Sequence, residues 1–125
     1  MTTFTDISTE DLTTTTALGE AAITMRLVGS AETDAKAALD VLLRRVHEVA
    51  LDSAVREVVI DLRALEFMNS SCLNAFVTWI GCVQDAPVSS QYSLRFLSDS
   101  KKQWQGRSLI ALACFAVDLI RVEAT

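Results

Sequence analysis

The sequence predicts an α/β fold: a mixed, mostly parallel β-sheet that opens with an antiparallel hairpin and carries about three helices. Three observations predict it. Strand-like and helix-like apolar patterns alternate along the chain, and strands that alternate with helices form right-handed, mostly parallel sheets. Val58-Val59-Ile60 is a continuous β-branched run, as in a central strand covered on both faces. The chain has 125 residues, half of them hydrophobic, which suits one domain built on one core.

The elements follow in order. Residues 1–11 are polar and acidic and read as a partly frayed start, with Phe4, Ile7 and Leu12 as the apolar anchors of the segment Thr2 to Thr14. Leu12 to Ala17 forms a first strand. Leu18-Gly19-Glu20 turns it into a second, Ala22 to Val28, in which Ile23, Met25 and Leu27 alternate with polar or outward positions; Gly29-Ser30 ends it. Asp34 caps a helix to about Ala50, its inner face formed by Ala38, Val41, Leu42, Val46 and Val49. Asp61 closes the central strand. A second helix starts at Ser70 or Ser71 and runs to about Val83. Tyr92 to Leu97 is the next strand, Asp99 or Ser100 caps a third helix to about Cys114, and Val117 to Val122 is the last strand.

Composition excludes several classes. The net charge is −5, and the basic clusters are only Arg44-Arg45 and Lys101-Lys102, so no basic face for nucleic acid is evident. The longest uncharged stretch, Phe67 to Gln84, is interrupted by Asn69, Ser70, Ser71, Asn74 and Thr78 and reads as a strand-to-helix switch rather than a membrane span. No basic-then-apolar leader opens the chain. Cys72, Cys82 and Cys114 lie in apolar segments without metal-ligand spacing, which suits reduced thiols in a cytoplasmic protein and no metal site. His47 is the single histidine, in mid-helix. There is no nucleophile elbow around the serines, no zinc motif and no phosphate-binding glycine loop, so neither an enzyme nor a cofactor is expected.

The chemistry concentrates in VVIDLRALEFMNSSCLNAFVTWI, Val58 to Ile80. Two hydroxyls, Ser70 and Ser71, stand where a helix begins, and helix N-termini present unpaired N–H groups and a partial positive charge that tolerate a phosphate. Asn69, Ser70 and Ser71 can all cap, more than one helix start needs. Beyond them, Cys72, Asn74, Ala75, Thr78, Trp79 and Cys82 make a helix surface without charge. Such a face suits docking of a protein partner, since interface cores lose charged residues and gain aromatics; cover by another element of the fold is the alternative. Asp61 reads as a loop-ordering carboxylate.

The segment Val58 to Ala75, and the strand order over about residues 20 to 123, resemble the STAS domain of bacterial anti-sigma factor antagonists. In that family a strand ending in Asp-Leu leads through a Phe-Met or Phe-Ile step to Asp-Ser-Ser-Gly and a helix, and the serine after that Asp is phosphorylated. The resemblance implies a non-enzymatic signalling switch in transcription regulation. Ser70 would be the phosphoacceptor, with Ser71 as second choice. The partners would be a serine kinase that is itself the anti-sigma factor and a serine phosphatase. The docking surface would be Asn69, Cys72, Asn74, Ala75, Thr78 and Trp79. Asn69 stands where the family has Asp, and Cys72 where it has Gly. The family's C-terminal helix is not expected, because the sequence ends just after the last strand. Apolar surface left bare would then favour a homo-oligomer. A constitutive interaction subunit without phosphorylation is the alternative function.

Overall fold

The structure, a computed structural model, describes residues 3–125; Met1 and Thr2, part of the expected frayed start, lie outside the described residues. The elements are β1 (Leu12–Leu18), β2 (Ala22–Ala31), a 3-10 turn (Thr33–Ala35), α1 (Lys36–Asp52), β3 (Glu57–Met68), α2 (Ser70–Asp85), a second 3-10 turn (Val88–Ser90), β4 (Ser93–Ser98), α3 (Gln103–Ala113) and β5 (Ile120–Ala124). The sheet order is β1-β2-β3-β4-β5, with β1–β2 antiparallel and the other pairs parallel.

Each helix joins neighbouring parallel strands, and each crossover steps the same way along the sheet. Right-handed connections of that kind place α1, α2 and α3 on one face. The strands show it by alternation: Ile23, Met25 and Leu27 of β2 and Leu94 and Phe96 of β4 enter the core, while Thr24, Arg26 and Val28 are exposed. β3 is the exception to this alternation: Val58, Val59, Ile60, Asp61 and Leu62 are all buried, so the central strand is covered on both faces as expected, although the helices lie on only one. Val58, Ile60 and Leu62 join the core, but Val59 belongs to the other face, where Thr24 and Arg95 are its neighbours in register.

β3 is longer than its apolar run suggests. Its pairing with β4 stops at Asp61–Leu97, but its pairing with β2 continues to Met68 across two register shifts. Those irregularities break the two-residue alternation that would mark Leu62–Met68 as strand. Asp61 therefore lies inside β3 and does not close it. β2 likewise runs past Gly29 to Ala31. Gly29 takes φ +109, and a Cβ there would collide with the Asp11 carbonyl, which receives the Ser30 N–H at 2.7 Å.

The first described residues are docked rather than frayed. Ile7 and Leu12 are buried and Phe4 packs on the core. Asp6 accepts from the Thr14 hydroxyl at 2.9 Å and the Thr16 hydroxyl at 2.7 Å, and the Arg45 Nε donates to the Thr3 carbonyl at 3.0 Å. Paired polar groups do what three spaced apolar residues alone could not.

The helix caps differ from expectation too. α1 begins after the 3-10 turn, so Asp34 lies within that turn and does not cap it. Its buried face is Leu39, Leu42, Leu43, Val46, Val49 and Ala50, with Ala38 and Val41 exposed. α3 starts at Gln103, and Asp99 instead turns its carboxylate onto the Lys101 N–H (2.9 Å) and the Lys102 ammonium (3.0 Å).

Candidate functional site

The site is the junction where β3 passes into α2. Asn69 is extended (φ −79, ψ 171) and caps α2: its Oδ1 accepts from the Cys72 N–H at 3.0 Å. Its Nδ2 donates to the Thr33 hydroxyl at 2.7 Å, and its backbone N–H donates to the Ala31 carbonyl at 3.0 Å. An aspartate could cap as well but has no amide hydrogen for Thr33. Asn69 thus ties the helix start to the turn that precedes α1.

Because Asn69 does the capping, the serines are spare. Ser70 is the first residue of α2 and exposed; Ser71 is half-buried. Neither hydroxyl makes a hydrogen bond among the described residues, and the same holds for the two backbone N–H groups of Ser70 and Ser71. These are the orphan donors of a helix N-terminus.

α2 has two unlike sides. Ser70, Asn74, Thr78 and Cys82 follow at four-residue spacing and are all exposed, a neutral stripe along the outside. Half-buried Leu73 and Val77 flank it, and Phe67, 45% exposed, stands just before it at the end of β3. The other side is closed. Cys72, Ala75 and Trp79 are buried, Trp79 to 2% exposure, because α1 packs over them. This corrects the docking surface read from the sequence: Asn74, Thr78 and half-buried Asn69 are available, whereas Cys72, Ala75 and Trp79 are core. The Cys72 thiol donates to the Glu32 carbonyl at 3.1 Å, and burial pushes its pKa up, so it is a neutral packing group turned inward from the helix start. Trp79 is covered by its own chain, which removes the ground for expecting self-association through it.

Asp61 lies on the sheet face opposite the helices. Its carboxylate accepts from the Arg63 N–H (3.0 Å), Nε (2.9 Å) and second guanidinium nitrogen (2.9 Å), with the Arg26 Nε at 4.0 Å. The Arg63 hydrogen bonds hold its pKa below the usual carboxylate value. Asp61 is fully engaged inside the strand. The groups that order the segment leading to Ser70 come from α3, and the sequence reading missed them. Gln105 is completely buried; its Nε2 donates to the Leu62 carbonyl at 2.6 Å and the Leu65 carbonyl at 3.0 Å, and its Oε1 accepts from the Asp99 N–H at 2.8 Å. The Lys102 ammonium donates to the Arg63 carbonyl at 3.0 Å. They replace the ladder bonds that β3 loses where β4 stops. A glutamine on the inner side of an amphipathic helix was the available signal.

His47 is not brought to the serines. Its Nδ1 lies 2.7 Å from the Tyr92 hydroxyl, which also receives the Trp79 indole N–H at 2.9 Å. Trp79 is nine residues along α2 from Ser70, about 13 Å at 1.5 Å per residue. Among the described residues no group of three His, Cys, Asp or Glu side chains is placed to hold a metal ion, and no helix is long and apolar enough to cross a membrane.

Neither a protein-family model nor a curated protein matches this sequence. Solved structures do match. The crystal structure of an anti-sigma factor antagonist from Mycobacterium paratuberculosis is similar, with a TM-score of 0.64 at 15% identity, over 95% of this chain and 92% of that one. At that identity the match is one of architecture: the chain has the fold of an anti-sigma factor antagonist. The resemblance read from Val58 to Ala75 is shown at the level of the fold.

Proposed function

We propose that this chain is a cytoplasmic, non-enzymatic protein-binding switch of the anti-sigma factor antagonist type, controlled by phosphorylation of Ser70, with Ser71 as the second acceptor. The observation that carries the reading is that Ser70 heads α2 with an exposed, unengaged hydroxyl while Asn69 does the capping. The partner docks on the neutral stripe Ser70, Asn74 and Thr78, with Asn69 at its head and Phe67 beside it. A phosphate on Ser70 adds about −1.5 to −2 charges to that stripe. The free N–H groups of the helix start stabilise it within the domain. A docked partner would have to desolvate it, which is costly without paired cations. Docking is thereby switched off with the fold unchanged. The kinase is the anti-sigma partner itself, and a serine phosphatase resets the switch.

Capture of partners from the native cell with wild-type, Ser70→Ala and Ser70→Asp proteins tests this reading. Wild type and Ser70→Ala retain one partner that Ser70→Asp loses by about tenfold or more, the cost of leaving one charge unpaired. Equal retention by all three would leave a constitutive interaction subunit.

A further inference from the structure

A groove of about 320 Å³ runs between α1 and the C-terminal half of α2, where the far end of the neutral stripe, Thr78 and Cys82, forms its rim. Lys36, Asp40, Leu43, Arg44 and His47 line it from α1, and Ala75, Thr78, Trp79 and Cys82 from α2. Its volume is at the small end of ligand sites, which run from about 300 to 1,000 Å³. Its floor is apolar, made by Leu43, Ala75 and Trp79. Its charges do not cancel. Lys36 is matched by Asp40 at 2.7 Å, whereas Arg44 has no carboxylate partner among the described residues; Glu48, one turn further on, pairs with Arg45 at 3.7 Å. One guanidinium is left facing the groove without a counter-ion.

Beside it is a donor whose direction the core dictates. The buried Tyr92 hydroxyl accepts from the Trp79 indole N–H, so its own hydrogen goes to His47 Nδ1, the other group within reach. His47 Nδ1 is then an acceptor and the ring proton sits on Nε2, at the edge turned away from Tyr92. Nε2 has no partner among the described residues. Burial also lowers the His47 pKa, against the opposing pull of Glu48, and so favours the neutral ring.

We propose that this groove binds a small organic monoacid, its carboxylate held by the Arg44 guanidinium and the His47 Nε2–H and its apolar body lying over Leu43, Ala75 and Trp79. The lining decides against other classes. One unpaired cation and no glycine-rich loop is too little for a di- or triphosphate. The single carboxylate, Asp40, is taken by Lys36, so a cationic ligand finds no counter-ion. A neutral apolar molecule would leave Arg44 and Nε2 unused. The inference rests on the groove alone and holds whether or not Ser70 is phosphorylated.

Amide shifts of the ¹⁵N-labelled full chain, titrated with octanoate, 4-phenylbutyrate and the uncharged 4-phenylbutyramide, test it. The two acids should give saturable shifts confined to residues 36–47 and 75–82, with the amide about tenfold weaker or more, as the loss of a charged hydrogen bond implies. Arg44→Gln should weaken the acids by a similar factor. His47→Asn keeps an acceptor near the Tyr92 hydroxyl and loses the Nε2–H, so it should weaken them while the native spectrum is retained. Arg121→Gln, the same charge change on β5, should bind as wild type. Absence of saturation in the millimolar range, equal binding of acid and amide, wild-type affinity in Arg44→Gln, or shifts mapping elsewhere would each overturn the proposal.

Discussion

The two sides of α2 come from one uncharged stretch and behave oppositely. The outer side, Ser70, Asn74 and Thr78, keeps its polar groups free. The inner side, Cys72, Ala75 and Trp79, spends every polar group on the fold: the thiol on Glu32, the indole N–H on Tyr92. The difference teaches that absence of charge has two physical causes. On the inner side it reflects burial against α1, where a charge would be desolvated without a partner. On the outer side burial cannot be the cause, and the docking proposed above would account for it.

The contrast breaks most sharply at Trp79. Trp79→Ala removes a ring that fills the α1–α2 contact and leaves Tyr92 short of a donor. It should lower stability by about 3–5 kcal/mol, read as a drop in urea midpoint, while Thr78→Ala on the outer side should move it by no more than about 0.5 kcal/mol. Comparable losses would mean that both sides are structural.

Next comes Gln105→Ala. It strands the Leu62 and Leu65 carbonyls and the Asp99 N–H, and should cost about 2–3 kcal/mol. Hydrogen exchange should quicken first around residues 62–69, since β3 there has only β2 as a strand partner. Unchanged exchange in that segment would show that Gln105 does not position Ser70.

At the helix start the expected split is smaller and finer. Asn69→Ala should cost about 1 kcal/mol as a lost cap, and Ser70→Ala less than about 0.5 kcal/mol. Chemical denaturation of the two variants side by side reads it; a larger loss for Ser70→Ala would assign the cap to the wrong residue.

The smallest effect is on pH. The folded state holds His47 below its ordinary value of 6.5, mainly by burial. The unfolded chain therefore takes up the proton first, and this contribution to stability is complete above pH 6.5 and declines as the pH falls below it. Glu48 is the charged neighbour that favours protonation, against the larger effect of burial. His47→Asn should flatten the stability profile between pH 7 and 5 relative to wild type; parallel profiles would show that His47 does not titrate differently on folding.

Much of this was legible in residues. The helix at Ser70 could be read because a run of capping residues precedes an apolar pattern, and β2 because Ile23, Met25 and Leu27 alternate strictly. The tail of β3 could not, since two register shifts spoil the alternation between Leu62 and Met68. The apolar face of α1 is legible at Leu42, Val46 and Val49, but its broad buried face also takes in Leu39, Leu43 and Ala50 and leaves out Ala38 and Val41, a shift that periodicity alone does not decide. The docking of Ile7 rests on Asp6 meeting Thr14 and Thr16 across a turn, a tertiary match that no local pattern announces. The core burial of Trp79 likewise depends on Tyr92, thirteen residues away.

The central claim is that phosphate on Ser70 and partner on the neutral stripe exclude each other. Phosphosite mapping of the protein drawn from its native cells, with the free and partner-bound fractions separated before digestion, tests it directly. Phosphate is expected on Ser70 in the free fraction and an unmodified Ser70 in the bound one. Phosphorylated Ser70 in the bound fraction, or no phosphate on Ser70 or Ser71 in either, would contradict it.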